Sequence, residues 1–319
     1  MRKKIKYIVI GIVLVFFAIN IGASFFFYNL AIDRNVKEFL QGNNDLEVSA
    51  EALEVFLDGD WRDWSKNQNY EIYNITSYDG LELQGYFLPA KEPTHKLVIL
   101  SHGYLGHAKD MALYGQHYYE ELGYNIFFAD ARGHGQSEGD YIGFGWHDRL
   151  DLVQWVDTLV EKLGEETEII LHGLSMGAAT VLMTAGEELP DNVKGIIADS
   201  PYTSVWDMFD YQITRMFHLP AFPVLHSTSA LTKIKAGYTF GEASALEQVK
   251  KANLPILYIH GEADTFVPTD LAWELYENTN SEAEIYTFPD AGHGEAFVIH
   301  KDAYLEILEN FLDSLEMGS

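Results

Sequence analysis

Cysteine is absent from this chain of 319 residues, so the fold contains no disulfide and no lipid can be attached through an N-terminal cysteine. A chain of this length buries enough apolar surface to fold without crosslinks. Because disulfides are frequent in secreted animal proteins, their absence fits a bacterial surface protein better than an animal secreted one.

Basic residues are scarce, since 21 lysines and arginines stand against 48 aspartates and glutamates, for a net charge of −27. Four basic residues lie in the first six positions, and no acidic residue precedes residue 33. Residues 33–319 therefore keep 17 basic residues against 48 acidic ones, a net charge of −31. Such a surface repels nucleic acid and anionic headgroups. We expect no nucleic-acid partner and no strongly anionic substrate.

Two kinds of binding motif are also missing. A zinc site needs three or four convergent ligands. The spacings between four histidines near predicted strand ends match no zinc-binding pattern; these are His102, His107, His134 and His147. The stretch Gly103–Gly106 is no phosphate-binding loop, because no Lys-Ser or Lys-Thr pair follows it. We therefore expect neither a metal ion nor a cofactor.

A long apolar run follows the basic N-terminus. Tyr7–Ile32 carries no charge, and its 26 residues exceed the roughly 20 that a helix needs to cross a bilayer. The run lacks the polar positions at helical spacing that the helix of a soluble core would show. Because a basic flank stays in the cytoplasm, the rest of the chain is expected outside it.

The competing interpretation of this run is a cleaved signal peptide. Gly22–Ser24 has the small residues that a cleavage site needs. However, Phe25–Tyr28 continues the apolar run, and cleavage would leave it exposed. We therefore expect an uncleaved signal-anchor, a single transmembrane helix in the cell membrane with the remaining chain outside.

Three segments follow from this pattern: a basic flank and anchor (1–32), a connecting segment (33–69) and a globular domain (70–319). In the globular domain, apolar strands alternate with helical patterns. This alternation predicts an α/β fold with a mostly parallel sheet and helices on both faces. Tyr70–Ser77 and Leu81–Leu88 are predicted to form a hairpin. Helices are predicted at 109–122, 146–163, 176–188, 268–279 and 298–316.

The stretch Gly173–Gly177 has the pattern G-x-S-x-G in the context that this motif needs. Glu168–His172 before it predicts a short buried strand, and Ala178–Met183 after it predicts a helix. The glycines let the backbone turn sharply, which would expose the hydroxyl of Ser175 above the sheet edge. The N–H groups at the start of that helix would stabilise an oxyanion. The pattern therefore indicates a nucleophilic serine.

An acid and a histidine follow Ser175 in the order that the motif requires. Asp264 comes after the predicted strand Pro255–His260, and His293 lies in a turn after the predicted strand Ala283–Phe288. Both lie beyond carboxyl ends of strands, where open α/β sheets place their sites. Alone, each could be an ordinary helix cap or surface-turn residue, but their joint order favours a triad.

These motifs carry a resemblance to the α/β-hydrolase superfamily, over about residues 70 to 316. The chain is most similar to bacterial serine hydrolases of the lysophospholipase-like and serine-aminopeptidase-like groups. Besides the serine motif, the stretches that carry the resemblance are Leu97–Tyr104, Asp130–Gly139 and His260–Asp264. The resemblance implies the α/β-hydrolase fold, but it says little about the substrate because this fold hosts many reactions.

The resemblance also implies roles for individual residues. Ser175 would be the nucleophile, His293 its general base and Asp264 the acid that orients the histidine. The backbone N–H groups of Tyr104 and Met176 would form the oxyanion hole.

One insertion interrupts the alternation, because the strand Val193–Asp199 is followed by the next strand only near Pro255. Residues 201–250 are predicted to form a small helical cap, with two short helices broken at Pro220 and Pro223. Its aromatic side chains would suit an apolar acyl pocket, or they would only pack the cap against the body. The candidate pocket residues are Trp206, Phe209, Phe217 and Phe222.

Together these features predict a membrane-anchored extracellular serine hydrolase that cleaves small-molecule carboxylic or acyl esters, as carboxylesterases and lipases do. One alternative is a serine peptidase or amidase, which would need a carboxylate near Ser175 to bind a free amino terminus. The other is an inactive hydrolase-like surface protein that binds a ligand, although such a protein has no need of all three triad residues. The sequence leaves the oligomeric state open.

Overall fold

A computed structural model describes residues 2–35 and 49–315, so the middle of the predicted connecting segment, 36–48, lies outside the described residues. The strands are β1 Glu71–Thr76, β2 Glu82–Leu88, β3 Lys96–Ser101, β4 Asn125–Ala129, β5 Glu168–Leu174, β6 Val193–Asp199, β7 Ile256–Gly261 and β8 Ala283–Phe288. The α-helices are α1 Arg2–Phe27, α2 Ala50–Asp58, α3 Asp60–Lys66, α4 Ala112–Glu120, α5 Asp148–Leu163, α6 Met176–Thr184, α7 Val205–Phe217, α8 Val224–Ala236, α9 Ala245–Val249, α10 Thr269–Asn278, α11 Ala296–Ile299 and α12 Lys301–Ser314.

These strands form one sheet in the order β1-β2-β4-β3-β5-β6-β7-β8. β1 and β2 pair antiparallel with Glu71 opposite Phe87, and β2 pairs antiparallel with β4. All other neighbouring strands pair in parallel. This topology confirms the predicted α/β-hydrolase fold with its mostly parallel sheet.

Helices cover both faces of the sheet. Trp155 of α5 and Val181 of α6 belong to the core on one face, and Tyr118 of α4 and Phe311 of α12 belong to the core on the other. β3 and β7 are buried along most or all of their length, which is why their sequences are continuous apolar runs rather than alternating ones. Because β3 to β8 all run parallel, their carboxyl ends lie at one edge of the sheet.

Three of the five predicted helices differ from the observed ones by a break or by three or more residues at one end. α6 ends at Thr184 rather than 188, because Gly186 disfavours a helix and a Cβ there would lie 2.1 Å from Gln248 Oε1. The predicted helix 298–316 is broken at His300, whose ψ of 42° separates α11 from α12. A short 3₁₀ turn, Ala108–Met111, precedes α4.

The cap consists mainly of α7 and α8, which lie between β6 and β7. The Ser204 side chain caps α7 by accepting a hydrogen bond from the N–H of Asp207. The helix ends at His218 in a left-handed conformation, with φ of 54°, and Pro220 and Pro223 lie between the two helices. The break between the cap helices thus falls at these prolines.

The N-terminal helix does not end in a free linker. α1 continues into a π-helical turn, and Lys3–Ile32 is long and apolar enough to cross a membrane by length and composition. Most of the helix is exposed, but Tyr28 and Ile32 in its last turn are buried in the core of the body. Asp33 then forms an antiparallel bridge with Tyr141. The apolar helix is therefore continuous with the globular domain.

Candidate active site

Ser175 lies between β5 and α6 in a backbone conformation that side chains rarely adopt, with φ of 55° and ψ of −114°. Flanking glycines make the tight turn possible. A Cβ on Gly173 would lie 2.1 Å from the carbonyl oxygen of Gly177, and a Cβ on Gly177 would lie 2.0 Å from that of Ser101. The N–H of Ser175 donates to the Asp199 carbonyl at 2.8 Å. This strand-turn-helix arrangement has the geometry of a nucleophile elbow.

The structure brings the three predicted triad residues together. His293 Nε2 lies 2.8 Å from Ser175 Oγ, and His293 Nδ1 lies 2.7 Å from Asp264 Oδ2. Because a carboxylate can only accept, Nδ1 carries the proton and Nε2 is free to accept from the serine hydroxyl. The Asp264 side chain is fully buried, whereas 19% of the His293 side chain is exposed. The hydrogen-bond chain therefore runs from a buried acid to a serine at the edge of the site.

Asp264 and His293 shift each other's pKa. Burial alone would raise the pKa of the Asp264 carboxyl, but the charge of His293 and hydrogen bonds from His260 and His293 hold it well below its usual range. Burial alone would lower the pKa of His293, but the charge and hydrogen bond of Asp264 raise it above 6.5. The carboxyl is therefore ionised at neutral pH and stabilises a proton taken up by the imidazole.

His260 at the end of β7 is a second histidine on Asp264, and the sequence reasoning gave it no role. Its Nε2 lies 3.0 Å from Asp264 Oδ2 and 2.9 Å from the Val267 carbonyl oxygen. Because both partners are acceptors, Nε2 carries the proton. Asp264 Oδ1 accepts from the N–H groups of Phe266 and Val267 at 2.8 Å each. The sequence feature that could have indicated this contact is a histidine at the end of a buried strand, just before the loop that carries Asp264.

Asp199 is a second buried carboxyl, and the sequence reasoning missed it. Its Oδ2 accepts hydrogen bonds from the hydroxyls of Tyr114 and Tyr304 at 3.1 Å each, and its Oδ1 accepts from Ser200 Oγ at 2.9 Å. Burial raises its pKa. Since its carbonyl oxygen also holds the N–H of Ser175, this residue supports the elbow from the neighbouring strand.

Glu295 holds the turn that carries His293, which sequence reasoning also missed. Its Oε2 accepts from the N–H of Gly292 at 2.9 Å, and its Oε1 accepts from the N–H of Ser49 at 2.6 Å. The Glu295 residue is only 2% exposed. The start of α2 is thereby connected to the histidine turn, a contact between segments more than 200 residues apart that no local pattern signals.

The two backbone groups predicted for an oxyanion hole belong to segments that meet at Ser175. Met176 is the first residue of α6, so its N–H lies at the helix N-terminus. Tyr104 follows Gly103, and a Cβ on Gly103 would lie only 3.5 Å from the Ser175 Cβ. The turn after β3 and the start of α6 therefore flank the serine.

His102 and Arg132, which also lie near the strand ends, stabilise loops. His102 is neutral, because its Nε2 accepts the N–H of Ala131 at 3.0 Å and burial lowers its pKa. The buried guanidinium of Arg132 is bound between Asp79 and Asp151 at 2.8 and 2.7 Å. Across residues 2–35 and 49–315, no group of three His, Asp or Glu side chains is arranged to hold a metal ion.

An apolar cavity of about 90 Å³, here termed the cap cavity, lies between the cap and the body. The structure places Phe209 and Phe217 in its lining, together with Tyr104 and Phe266. The Phe266 ring lies 5.1 Å from the ring of His293, so the cavity adjoins the triad. None of its lining side chains is charged. The cavity is therefore suited to an apolar group bound beside Ser175.

Trp206 and Phe222 do not line the cap cavity, which corrects their predicted place in a pocket. The Trp206 ring lies 4.8 Å from the ring of His226, on α8. Phe222 belongs to the link between the cap helices, is 70% exposed and also lies against His226, at 5.5 Å. Aromatic content alone does not show which side of a cap helix faces the body.

Comparison with known proteins agrees with this fold. The family model described as serine aminopeptidase, S33, matches residues 92–237, and the model of the dienelactone hydrolase family matches residues 222–307. The uncharacterized protein YqkD of Bacillus subtilis (strain 168) is 30% identical over 241 residues, which cover 76% of this chain and 78% of that protein.

Two further matches have described activities. The lysophosphatidylserine lipase ABHD12 of Danio rerio is 28% identical over 191 residues, which cover 58% of this chain and 48% of that protein. Among solved structures, an esterase of Pyrococcus furiosus is similar with a TM-score of 0.64 at 25% identity, covering 81% of this chain and 96% of that one.

Proposed function

Because the chain belongs to the α/β-hydrolase superfamily, we propose that it is a serine hydrolase that cleaves carboxylic esters of acyl chains. The observation that carries this proposal is the hydrogen-bond chain from the Ser175 hydroxyl through both nitrogens of His293 to Asp264. The strained elbow at Ser175 and the likeness to an esterase structure support the same class.

In the proposed reaction, each proton is transferred through His293. Ser175 Oγ attacks the carbonyl carbon of the ester while its proton passes to His293 Nε2. The N–H groups of Tyr104 and Met176 bind the oxyanion that forms, and Asp264 stabilises the imidazolium. His293 then gives the proton to the leaving alcohol, which departs and leaves an acyl-enzyme. Water repeats these steps on the acyl-enzyme and releases the acid.

The cap cavity favours an ester of an acyl chain over a peptide with a free amino terminus. A protonated amino group needs a carboxylate partner, and no acidic side chain lines this cavity among the residues that the structure describes. The lipase relative supports the same choice. A peptidase or amidase is therefore the second candidate, supported by the S33 family model.

The proposal includes a retained membrane anchor, with the catalytic domain outside the cytoplasm. The basic residues before the apolar helix favour this orientation. Asn20 Nδ2 and Ser24 Oγ both donate to Ser227 Oγ of the cap, at 2.9 and 2.7 Å. Cleavage after Ser24 would remove these contacts, so they support an anchor rather than a signal peptide.

The test of the activity uses the full chain in detergent. A fluorophosphonate probe should label the protein, and p-nitrophenyl esters should be hydrolysed faster than aminoacyl anilides of matched size. Faster cleavage of the anilides would favour the peptidase. Absence of both labelling and turnover would favour a ligand-binding protein without activity.

The test of the anchor uses intact cells that produce the protein. Added protease should digest the catalytic domain, and the membrane fraction should keep a chain that starts at its own N-terminus. A protected domain would contradict the orientation, and a mature N-terminus near residue 25 would show that the helix is a signal peptide.

A further inference from the structure

One wall of the cap cavity comes from the apolar N-terminal helix. Phe27, the last residue of α1, lines the cavity, as do Leu30 and Ala31 in the π-helical turn that follows. The Phe27 ring lies 5.0 Å from the ring of Phe217 in an edge-to-face contact, so the anchor and the cap meet within the cavity lining. A helix that served only as a tether would need no such contact.

Polar contacts set the position of this helix against the cap. Ser24 is 3% exposed, and its hydroxyl meets Ser227 Oγ, which is also bound by the amide of Asn20. Polar side chains within a membrane span are costly and are retained where they have a partner in the protein. These contacts therefore hold the helix in one register along α8.

The π-helical turn after α1 also contacts Tyr104, in the turn that follows β3. The Tyr104 hydroxyl donates to the Ala31 carbonyl oxygen at 2.9 Å, and the Tyr104 ring stacks on Phe144 at 5.1 Å. Both aromatic rings line the cap cavity. The cavity thus extends from the end of the anchor to the side of the triad, where Phe266 contacts His293.

The length of the helix places these contacts at membrane depth. A helix rises about 1.5 Å per residue, and about 20 residues cross the hydrocarbon core. Counted from Tyr7, where the uncharged run begins, the core ends near Phe26. Asn20 and Ser24 then lie in the leaflet on the catalytic side, and α8 reaches that level through Ser227.

We propose that the anchor and the cap together form the acyl pocket, and that the pocket receives its acyl chain directly from the adjoining leaflet. The substrate class is a single-chain acyl ester that resides in the membrane, since the cavity is small, apolar and bounded by the spanning helix. This inference rests on the proposed ester hydrolysis. It assigns Phe27, Leu30 and Ala31 as residues that determine chain-length specificity.

The first experiment compares variants of the full chain in phosphatidylcholine vesicles, with a series of p-nitrophenyl esters. Ala31→Trp fills the cavity and should lower kcat/KM for the octanoyl ester relative to the acetyl ester by roughly 15-fold, if two methylenes lose their site. Phe27→Ala enlarges the cavity and should move the optimum to longer chains. Phe25→Ala is the matched control, because Phe25 is 46% exposed on the same helix.

The outcomes separate this inference from the proposed function. If the wild type hydrolyses esters but Ala31→Trp and Phe27→Ala keep its chain-length profile, the anchor does not form the pocket and only this inference fails. If the wild type neither hydrolyses esters nor reacts with the fluorophosphonate probe, the proposed function itself fails.

The second experiment tests the source of the substrate. A long-chain fluorogenic ester is incorporated in the vesicles, and phosphatidylcholine is added while the bulk ester concentration stays constant. As the added phosphatidylcholine lowers the mole fraction of the long-chain ester in the membrane, its hydrolysis rate should fall in proportion. Hydrolysis of the water-soluble acetyl ester should stay unchanged. A long-chain rate that follows only the bulk concentration would overturn delivery from the leaflet.

Discussion

The strand-end site, formed by Ser175, His293 and Asp264, differs from the cap cavity in what holds it together. In the strand-end site every functional side chain follows a strand of one sheet and is fixed by hydrogen bonds at 2.7 or 2.8 Å. The cap cavity is lined mostly by apolar side chains from α1, α7, α8 and the body, elements that are far apart in the chain. The proposed chemistry is therefore built from one sheet edge, and the proposed specificity from packing between separate elements.

The largest effect is expected from Ser175→Ala, which removes the nucleophile from the strand-end site. Ester turnover should fall by on the order of 10⁶, as in comparable triads, and probe labelling should disappear. The change deletes one hydroxyl, so the thermal midpoint should move little. Ser314→Ala is the control, because Ser314 lines a surface pocket together with Val193, the first residue of β6, and therefore lies away from the carboxyl ends of the strands. Labelling that survives in Ser175→Ala would exclude this serine.

Asp264→Asn should lower turnover by on the order of 10⁴, because an amide can favour the wrong tautomer of His293. Glu262→Gln is the matched control on the same loop. The Glu262 side chain is exposed and only accepts a hydrogen bond from Thr287 Oγ1 at 2.6 Å, so its replacement should be nearly neutral. Steady-state kinetics with a short ester measure both. A loss below tenfold for Asp264→Asn, or a larger loss for Glu262→Gln, would assign the acid elsewhere.

The rate of ester hydrolysis should fall as the pH drops below the raised pKa of His293. His293 acts as a base only when neutral, and the charge and hydrogen bond of Asp264 raise its pKa above 6.5. Below that raised pKa, kcat/KM should fall tenfold for each pH unit. In Asp264→Asn, the decline in the rate of probe labelling should move to lower pH, because the negative charge that stabilises protonated His293 is gone. An acid limb that stays in place would contradict this coupling.

The smallest effect is expected in the cap cavity, where chain-length preference should change and labelling should not. Phe217→Ala should shift the preferred acyl chain to greater length, by at most about fourfold in kcat/KM per added methylene. Phe222→Ala is the control from the same cap, since Phe222 lies outside the cavity and is 70% exposed. A p-nitrophenyl ester series measures both. Equal shifts in the two variants would show that the cavity does not select the chain.

The sequence predicted the strands and helices well where burial is periodic. The predicted hairpin strand Tyr70–Ser77 is observed as Glu71–Thr76, and the helix predicted at 268–279 is observed as Thr269–Asn278. Helix ends were less certain, because α6 stops near Gly186, where α9 packs closely. Such close approaches depend on another element and leave no local pattern.

The histidine network shows the same division. Ser175, Asp264 and His293 could be selected because each follows a strand in a known order. The roles of His260 and Asp199 could not, because their partners are a loop carbonyl and two tyrosines from distant helices. Burial of a polar side chain is visible only when these partners are in place.

Local pattern by itself determined the order of strands and helices, the apolar N-terminal helix and the succession of serine, acid and histidine. It did so because the period of apolar residues and the glycines of a turn act over a few neighbouring residues. Only the tertiary structure decided which side chains close the cap cavity. Tyr104 and Ala31 lie 73 positions apart, and Asn20 and Ser227 lie 207 apart. Contacts at such separation depend on how complete elements pack, and therefore Trp206 and Phe222 were misplaced while the end of α1 was overlooked.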